Sequence, residues 1–243
     1  MEPRHALVTG GGSGIGLAIA RRLSADGIRV TVSGRNEQPL TESGFDHVVM
    51  DVTDEAAVTA AFAAIDPVDI VVSNAGQART APLLKTPLSL WQDMLAVNLT
   101  GAFLCAKAGI PAMIERGWGR FIVIASTSAL KGYAYTGAYT SSKHGVLGLV
   151  RTLAIELART GVTANAVCPG FTETDLLSRS IDTIVSTTKM DRRQAEQALL
   201  KDNPMQRAVA PAEVAGAVAW LVDTAADSTN GQPIVVDGGE LAG

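Results

Sequence analysis

The chain has 243 residues, 47% hydrophobic and 18% charged, with a formal net charge of −4 at pH 7. That is enough for one large domain with a substantial core, and too apolar for a disordered chain. The acidic balance, with a pI of about 5.4, offers no basic surface to nucleic acid or to an anionic membrane.

Along the chain, short apolar runs alternate with segments of helical period. Ala6-Leu7-Val8 ends in a glycine cluster, after which Ile15, Ile19 and Leu23 recur at helical spacing until Gly27. Residues 28–32 and 48–50 are predicted strands, and the alanine-rich stretch 55–65 is a predicted helix. Strand 69–73 follows, then helix 88–115, strand 121–125, helix 138–159, strand 162–167, helix 211–222 and a last strand at 233–236. Strands that are continuous apolar runs, separated by helix-length connections, predict a parallel sheet covered by helices on both faces. Right-handed crossovers then give a doubly wound α/β fold of about seven strands in a single domain, residues 1–243. Two stretches depart from this rhythm. About a dozen residues join the strands at Arg35 and Asp46, barely enough for a crossover. Residues 175–203 are polar, charged and strandless, and are expected to form an insertion or lid.

Mean hydropathy is +0.21, yet no apolar run approaches the ~20 residues of a spanning helix. The opening Met1-Glu2-Pro3-Arg4-His5 lacks the basic start and apolar run of a signal peptide. Cys105 and Cys168 have no CxxC spacing and read as free buried thiols of a reducing cytoplasm. His5, His47 and His144 are too scattered for a metal site.

Thr9-Gly10-Gly11-Gly12-Ser13-Gly14-Ile15-Gly16 lies between the first strand and the first helix. Glycines there allow a tight turn and close approach of a pyrophosphate, and the helix N-terminus adds free N–H donors and a positive dipole end. The spacing is TGxxxGxG rather than GxGxxG. With this turn and the motifs that follow it in order over nearly the whole chain, the sequence resembles the short-chain dehydrogenase/reductase family. Those motifs are Asp51-Val52 after the third strand, Asn74-Ala75-Gly76 after the fourth, Asn98 in Val97-Asn98-Leu99-Thr100-Gly101, Ser126, the Tyr139/Lys143 pair of YxxxK, and Pro169-Gly170 with Thr172 and Thr174.

Tyr139 and Lys143 stand four apart in a helical segment and share a face. A phenol, with a reference pKa near 10, is a poor acid–base group, and an ammonium one turn away favours its phenolate. Ser126, thirteen residues before Tyr139 at a predicted strand end, can donate to a carbonyl oxygen. The resemblance implies a Rossmann-like fold and a hydride transfer between a nicotinamide cofactor and a carbonyl carbon. Tyr139 moves the proton, Ser126 holds the oxygen, Lys143 binds the ribose, and Asn98 holds a water linking the lysine to solvent. It also implies cofactor contacts from Gly10, Ser13, Gly14, Ile15, Gly16, Asp51, Val52, Asn74, Ala75, Gly76, Pro169, Gly170, Thr172 and Thr174. The carboxylate expected near Gly34 for an NAD ribose is missing and Arg35 supplies a cation suited to a 2′-phosphate, so NADP(H) is expected over NAD.

Residues 139–146, 156–165 and 168–171 look like β-ketoacyl reductases, polyketide ketoreductases and hydroxyacyl-CoA dehydrogenases. The implied substrate is a 3-oxoacyl thioester, on CoA, or a related cyclic ketone. Gly117 and Thr160 stand where carrier-protein-dependent reductases often have basic residues, with Arg116 and Arg159 adjacent. The resemblance implies a homotetramer with a small-molecule substrate, and composition, cysteine use and scattered histidines lead us to expect a cytoplasmic protein with no metal and no nucleic-acid or membrane partner. The same residues also admit an NAD-dependent secondary-alcohol or polyol dehydrogenase, and a non-catalytic dinucleotide-binding scaffold.

Overall fold

A computed structural model of the protein describes residues 4–242, so the reading of the N-terminus falls largely on residues 1–3, outside the described residues. The first strand, β1 (His5–Thr9), runs into helix α1 (Gly14–Ala25), then β2 (Arg29–Gly34), α2 (Glu37–Ser43), β3 (Asp46–Val49), α3 (Glu55–Ala64) and β4 (Ile70–Ser73). The second half continues with α4 (Leu88–Leu95), α5 (Gly101–Arg116), β5 (Gly119–Ile124), α6 (Gly137–Glu156), β6 (Val162–Pro169), α7 (Asp175–Thr187), α8 (Arg192–Leu200), α9 (Pro211–Val222) and β7 (Pro233–Val236). The strands form one parallel sheet in the order β3-β2-β1-β4-β5-β6-β7. The expected doubly wound architecture is present.

Alternation along each strand shows why the strands read as unbroken apolar runs. Leu7, Val71, Phe121 and Val123 face one core with residues of α3, α5 and α6, such as Val58, Leu104 and Val146. Ala6, Val8, Ile70, Val72 and Ile122 face the other, with Ile19 and Leu23 of α1 and Val214 and Val218 of α9. Each fully buried Val, Leu, Ile or Phe among them contributes about 1.5–3 kcal/mol of transfer free energy. The short connection after β2 is made by the seven-residue α2, anchored by buried Leu40 and ended by Gly44 in a left-handed conformation (φ +79°). It leads to an edge strand whose Val49 is exposed.

One expectation needs correction. Residues 88–116 form one continuous helical segment of 29 residues with mean hydropathy 1.4, long and apolar enough to cross a bilayer. Polar residues such as Asp93, Asn98 and Lys107 break its apolar runs without lowering its average far. Half of its apolar window is buried against the protein itself, with Leu104 and Ile110 in the core and Gly109 against Val71 and Phe62. The stretch 175–203 is a helical hairpin with its own small core, in which Leu177 and Ile181 of α7 meet Ala195 and Leu200 of α8. Arg192 fastens the hairpin through Asp182 (2.5 Å) and Ser178 (2.9 Å).

Candidate active site

Chain order reverses between β1 and β4, and this is where an open α/β sheet leaves a crevice at the carboxyl ends of its strands. The glycine turn fills one side of it. Gly10 has φ +65° and sends its N–H to the Ser33 carbonyl at 2.7 Å. A Cβ on Gly16 would lie against the Gly10 carbonyl and 2.6 Å from Asn74 Nδ2. Asn74 locks the turn by donating to the Thr9 carbonyl (2.8 Å) and the Gly10 carbonyl (3.3 Å). The Thr9 hydroxyl accepts from the N–H groups of Asn74 (3.0 Å) and Ala75 (2.9 Å). Opposite, Gly14 faces Thr174, with a hypothetical Cβ 3.4 Å from its methyl group. Neither Ser13 nor Thr174 caps its helix with its side chain, so two helix N-termini converge with first-turn N–H groups free of side-chain partners. This narrow, donor-lined cradle fits the pyrophosphate of a dinucleotide.

The second side holds Ser126, Tyr139 and Lys143. Ser126 follows β5, and its Oγ accepts from the Ser128 N–H at 3.1 Å. Tyr139 and Lys143 share a face of α6 as expected. Burial raises the Tyr139 phenol above its ordinary value, while a hydrogen bond with Ser126 pulls it back. Lys143 Nζ donates to the Ile124 carbonyl at 2.9 Å and lies 5.7 Å from the centre of the Tyr139 ring. Burial lowers its pKa to about 8.

Asn98 sits in a π-helical turn (Ala96–Thr100) between α4 and α5. Its side chain accepts from the Gln77 N–H and donates to the Gln77 carbonyl, both at 2.9 Å, and donates to Ser142 Oγ at 3.1 Å. Those bonds engage both amide protons, so the side chain anchors the Gly76-Gln77 backbone. Gly76 leaves room for this, since a Cβ there would come within 3.0 Å of Asn98 Oδ1 and 3.7 Å of Lys143 Nζ.

Toward the rim, Arg35 is exposed at the end of β2. Asp51 accepts from the N–H (2.9 Å) and hydroxyl (2.8 Å) of Thr53, which hold its carboxyl below the usual range, with the Arg35 charge adding to the effect. Asp54 caps α3, accepting from the N–H groups of Ala56 and Ala57, so the cap lies three residues beyond Asp51. Val52 packs against Gly101, where a Cβ would lie 2.8 Å from its Cγ2 and 3.3 Å from its carbonyl oxygen. Pro169 ends β6, Gly170 abuts Asp237, and buried Thr172 donates to the Gly170 carbonyl at 3.0 Å. Met190 and Met205, at 42% and 56% exposure, lie outside the core. Arg116 pairs with Asp69 (3.0 Å) and is committed there. Cys105 and Cys168 are free and buried, and burial pushes the Cys168 thiol up to about 11.

Several contributors were not singled out from sequence: Thr9, Gln77, Ser142 and a polar cluster of Thr127, Lys131, Tyr133 and Glu240. Thr9 carries a signal, a strand-end hydroxyl directly before the glycine turn. Glu240 carries none, because its partners are more than a hundred residues away.

A family model described as enoyl-(acyl carrier protein) reductase matches residues 10–240. A putative ketoacyl reductase of Streptomyces coelicolor is 40% identical over 249 residues, covering 96% of this chain and 95% of that protein. The 3-oxoacyl-[acyl-carrier-protein] reductase MabA of Mycobacterium bovis is 40% identical over 240 residues, covering 97% and 92%. Among solved structures, a Phe-to-Trp variant of actinorhodin polyketide ketoreductase with NADPH superposes with a TM-score of 0.93 at 38% identity, covering 98% of this chain and 97% of that one.

Proposed function

The chain belongs to the short-chain dehydrogenase/reductase family of oxidoreductases, and from that premise we propose that it is an NADPH-dependent reductase of a 3-oxoacyl thioester or a related cyclic ketone. The observation that carries the reading is the convergence, in one crevice, of Ser126 at the end of β5, Tyr139 and buried Lys143 on one face of α6, and the glycine cradle. The bound dinucleotide supplies the hydride. Residues 10–16 and Thr174 hold its pyrophosphate, Asp51 and the Val52 main chain its adenine end, and Arg35 its 2′-phosphate, with no carboxylate at Gly34 to repel it. Lys143 reaches the ribose beside Tyr139.

Ser126 donates to the substrate carbonyl oxygen and fixes its direction. Tyr139 gives that oxygen its proton; its raised pKa keeps the phenol protonated at neutral pH, the form that reduction needs. Lys143 and the π turn at Asn98 lead the replacement proton inward. The hairpin of α7 and α8 closes the crevice as a lid, with Leu176, Met190 and Met205 offering apolar, adaptable surface to an acyl or cyclic substrate. With Arg116 held by Asp69, and Gly117 and Thr160 uncharged, CoA is favoured over a carrier protein as the thioester carrier. The enzyme is read as a cytoplasmic homotetramer.

The test is a panel assay with NADPH and NADH against a 3-oxoacyl-CoA, a bicyclic ketone and an enoyl-CoA, with a polyol in the oxidative direction using NAD. NADPH consumption with the first or second substrate is expected to be fastest. Preference for the enoyl thioester, or for NAD with the polyol, would overturn the proposal.

A further inference from the structure

The C-terminal turn after β7 places a buried carboxylate between three segments that border the crevice. The Glu240 side chain is 2% exposed. Its Oε1 lies 2.5 Å from the Tyr133 hydroxyl and 2.9 Å from Lys131 Nζ. Its Oε2 lies 3.4 Å from where a Cβ of Gly170 would be. The Tyr133 hydroxyl is also 2.6 Å from Thr127 Oγ1. A phenol has one proton, so if it goes to the carboxylate, the Thr127 hydroxyl must donate to the phenol oxygen. The result is a directed chain, Thr127 to Tyr133 to Glu240, ending on a carboxylate that Lys131 balances. Charge-assisted bonds of this kind are short and about twice as strong as neutral ones.

What the chain holds is the residue next to Ser126. Thr127 opens the single turn of 3₁₀ helix that Ser126 leads into. Tyr133 is further braced by an edge-on contact with Phe171, ring centres 6.5 Å apart. The turn bearing Glu240 is itself fixed, because Asp237 accepts from the N–H groups of Gly239 and Leu241, both at 2.8 Å. Gly238 is packed so closely that a Cβ there would lie 2.5 Å from Asn203 at the base of the lid.

We infer that Glu240 is a positioning residue for the Ser126 hydroxyl, acting through Tyr133 and Thr127 to hold the Ser126 turn opposite Tyr139. The inference rests on the proposed role of Ser126 in orienting the substrate oxygen. A displacement of about 1 Å at a reacting group costs as much as a hundredfold in rate, so loosening this turn lowers kcat while NADPH binding, made elsewhere, is kept.

Tyr133→Phe removes only the linking hydroxyl, and Glu240→Ala removes the anchor; each is made in the parent and in a Ser126→Ala background. In the parent, each is expected to lower kcat about tenfold, with the NADPH Kd within about twofold by fluorescence titration. In the Ser126→Ala background neither lowers kcat further, because the hydroxyl they position is gone. Should Glu240→Ala fail to fold, Tyr133→Phe carries the same test alone. If Ser126→Ala lowers kcat but Tyr133→Phe leaves it within twofold, or lowers it equally in both backgrounds, the inference is wrong and the proposed function stands. If Ser126→Ala itself leaves kcat unchanged, the role given to Ser126 is wrong and the inference goes with it.

Discussion

The two walls of the crevice are built on opposite principles. On the glycine wall, function is made by space: the Gly10 carbonyl and Asn74 crowd Gly16 so closely that a single methyl group has nowhere to go. On the Ser126 wall, function is made by polar atoms drawn out of water, with Lys143 buried on a main-chain carbonyl and Tyr139 raised by its surroundings. One wall reads volume and the other reads protons. A substitution therefore has to be judged by the wall on which it falls.

The steric wall gives the largest effect. Gly16→Ala forces the main chain apart at a cost of about 3 kcal/mol, and NADPH affinity by fluorescence titration is expected to fall at least about a hundredfold. Gly27→Ala is the contrast. It has φ +82° but nothing within 4 Å of its Cβ position, so it costs about 1–2 kcal/mol of stability in a denaturant titration and leaves affinity alone. Equal affinities for the two variants would break the steric account.

On the electrostatic wall the effect is one of pH. Burial disfavours the Lys143 ammonium, so the cation is present below a pH of about 8 and lost above it. The Tyr139 phenol, raised rather than lowered, remains protonated over the same interval. The kcat/KM for reduction should hold level up to a pH of about 7, then fall about tenfold per unit beyond about 8. A profile level through a pH of about 9.5 would separate Lys143 from the reaction.

The smallest effect lies at the rim, where Arg35 is exposed and screened by solvent. Arg35→Ala should lower the NADPH-over-NADH preference about tenfold, the worth of one charge-assisted phosphate contact. An unchanged ratio of kcat/KM values would transfer the choice of coenzyme to other residues.

The contrast between the walls also explains what was legible in the sequence. A steric demand is written as residue identity, and TGxxxGxG could be seen directly. Tyr139 and Lys143 were legible because one turn of one helix brings them together. The bonds that steady them were not, since Thr9 reaches Asn74, and Asn98 reaches Gln77 and Ser142, across long stretches of chain. Asn98 lies in a π turn, a distortion that helical spacing of apolar residues does not report. The 175–203 hairpin reads as polar because Leu177, Ile181, Ala195 and Leu200, which form its core, are thinly spaced among charged residues. The burial that raises the Tyr139 phenol depends on β5 arriving beside α6, which no local pattern reports.

The central claim, that Tyr139 is the proton donor in a crevice that otherwise binds on its own, is tested most directly by Tyr139→Phe under single turnover, following NADPH oxidation with a saturating ketone. The account predicts NADPH binding within about twofold of the parent and a transfer rate at least about a hundredfold lower. A variant that binds NADPH and oxidises it at close to the parent rate would contradict it.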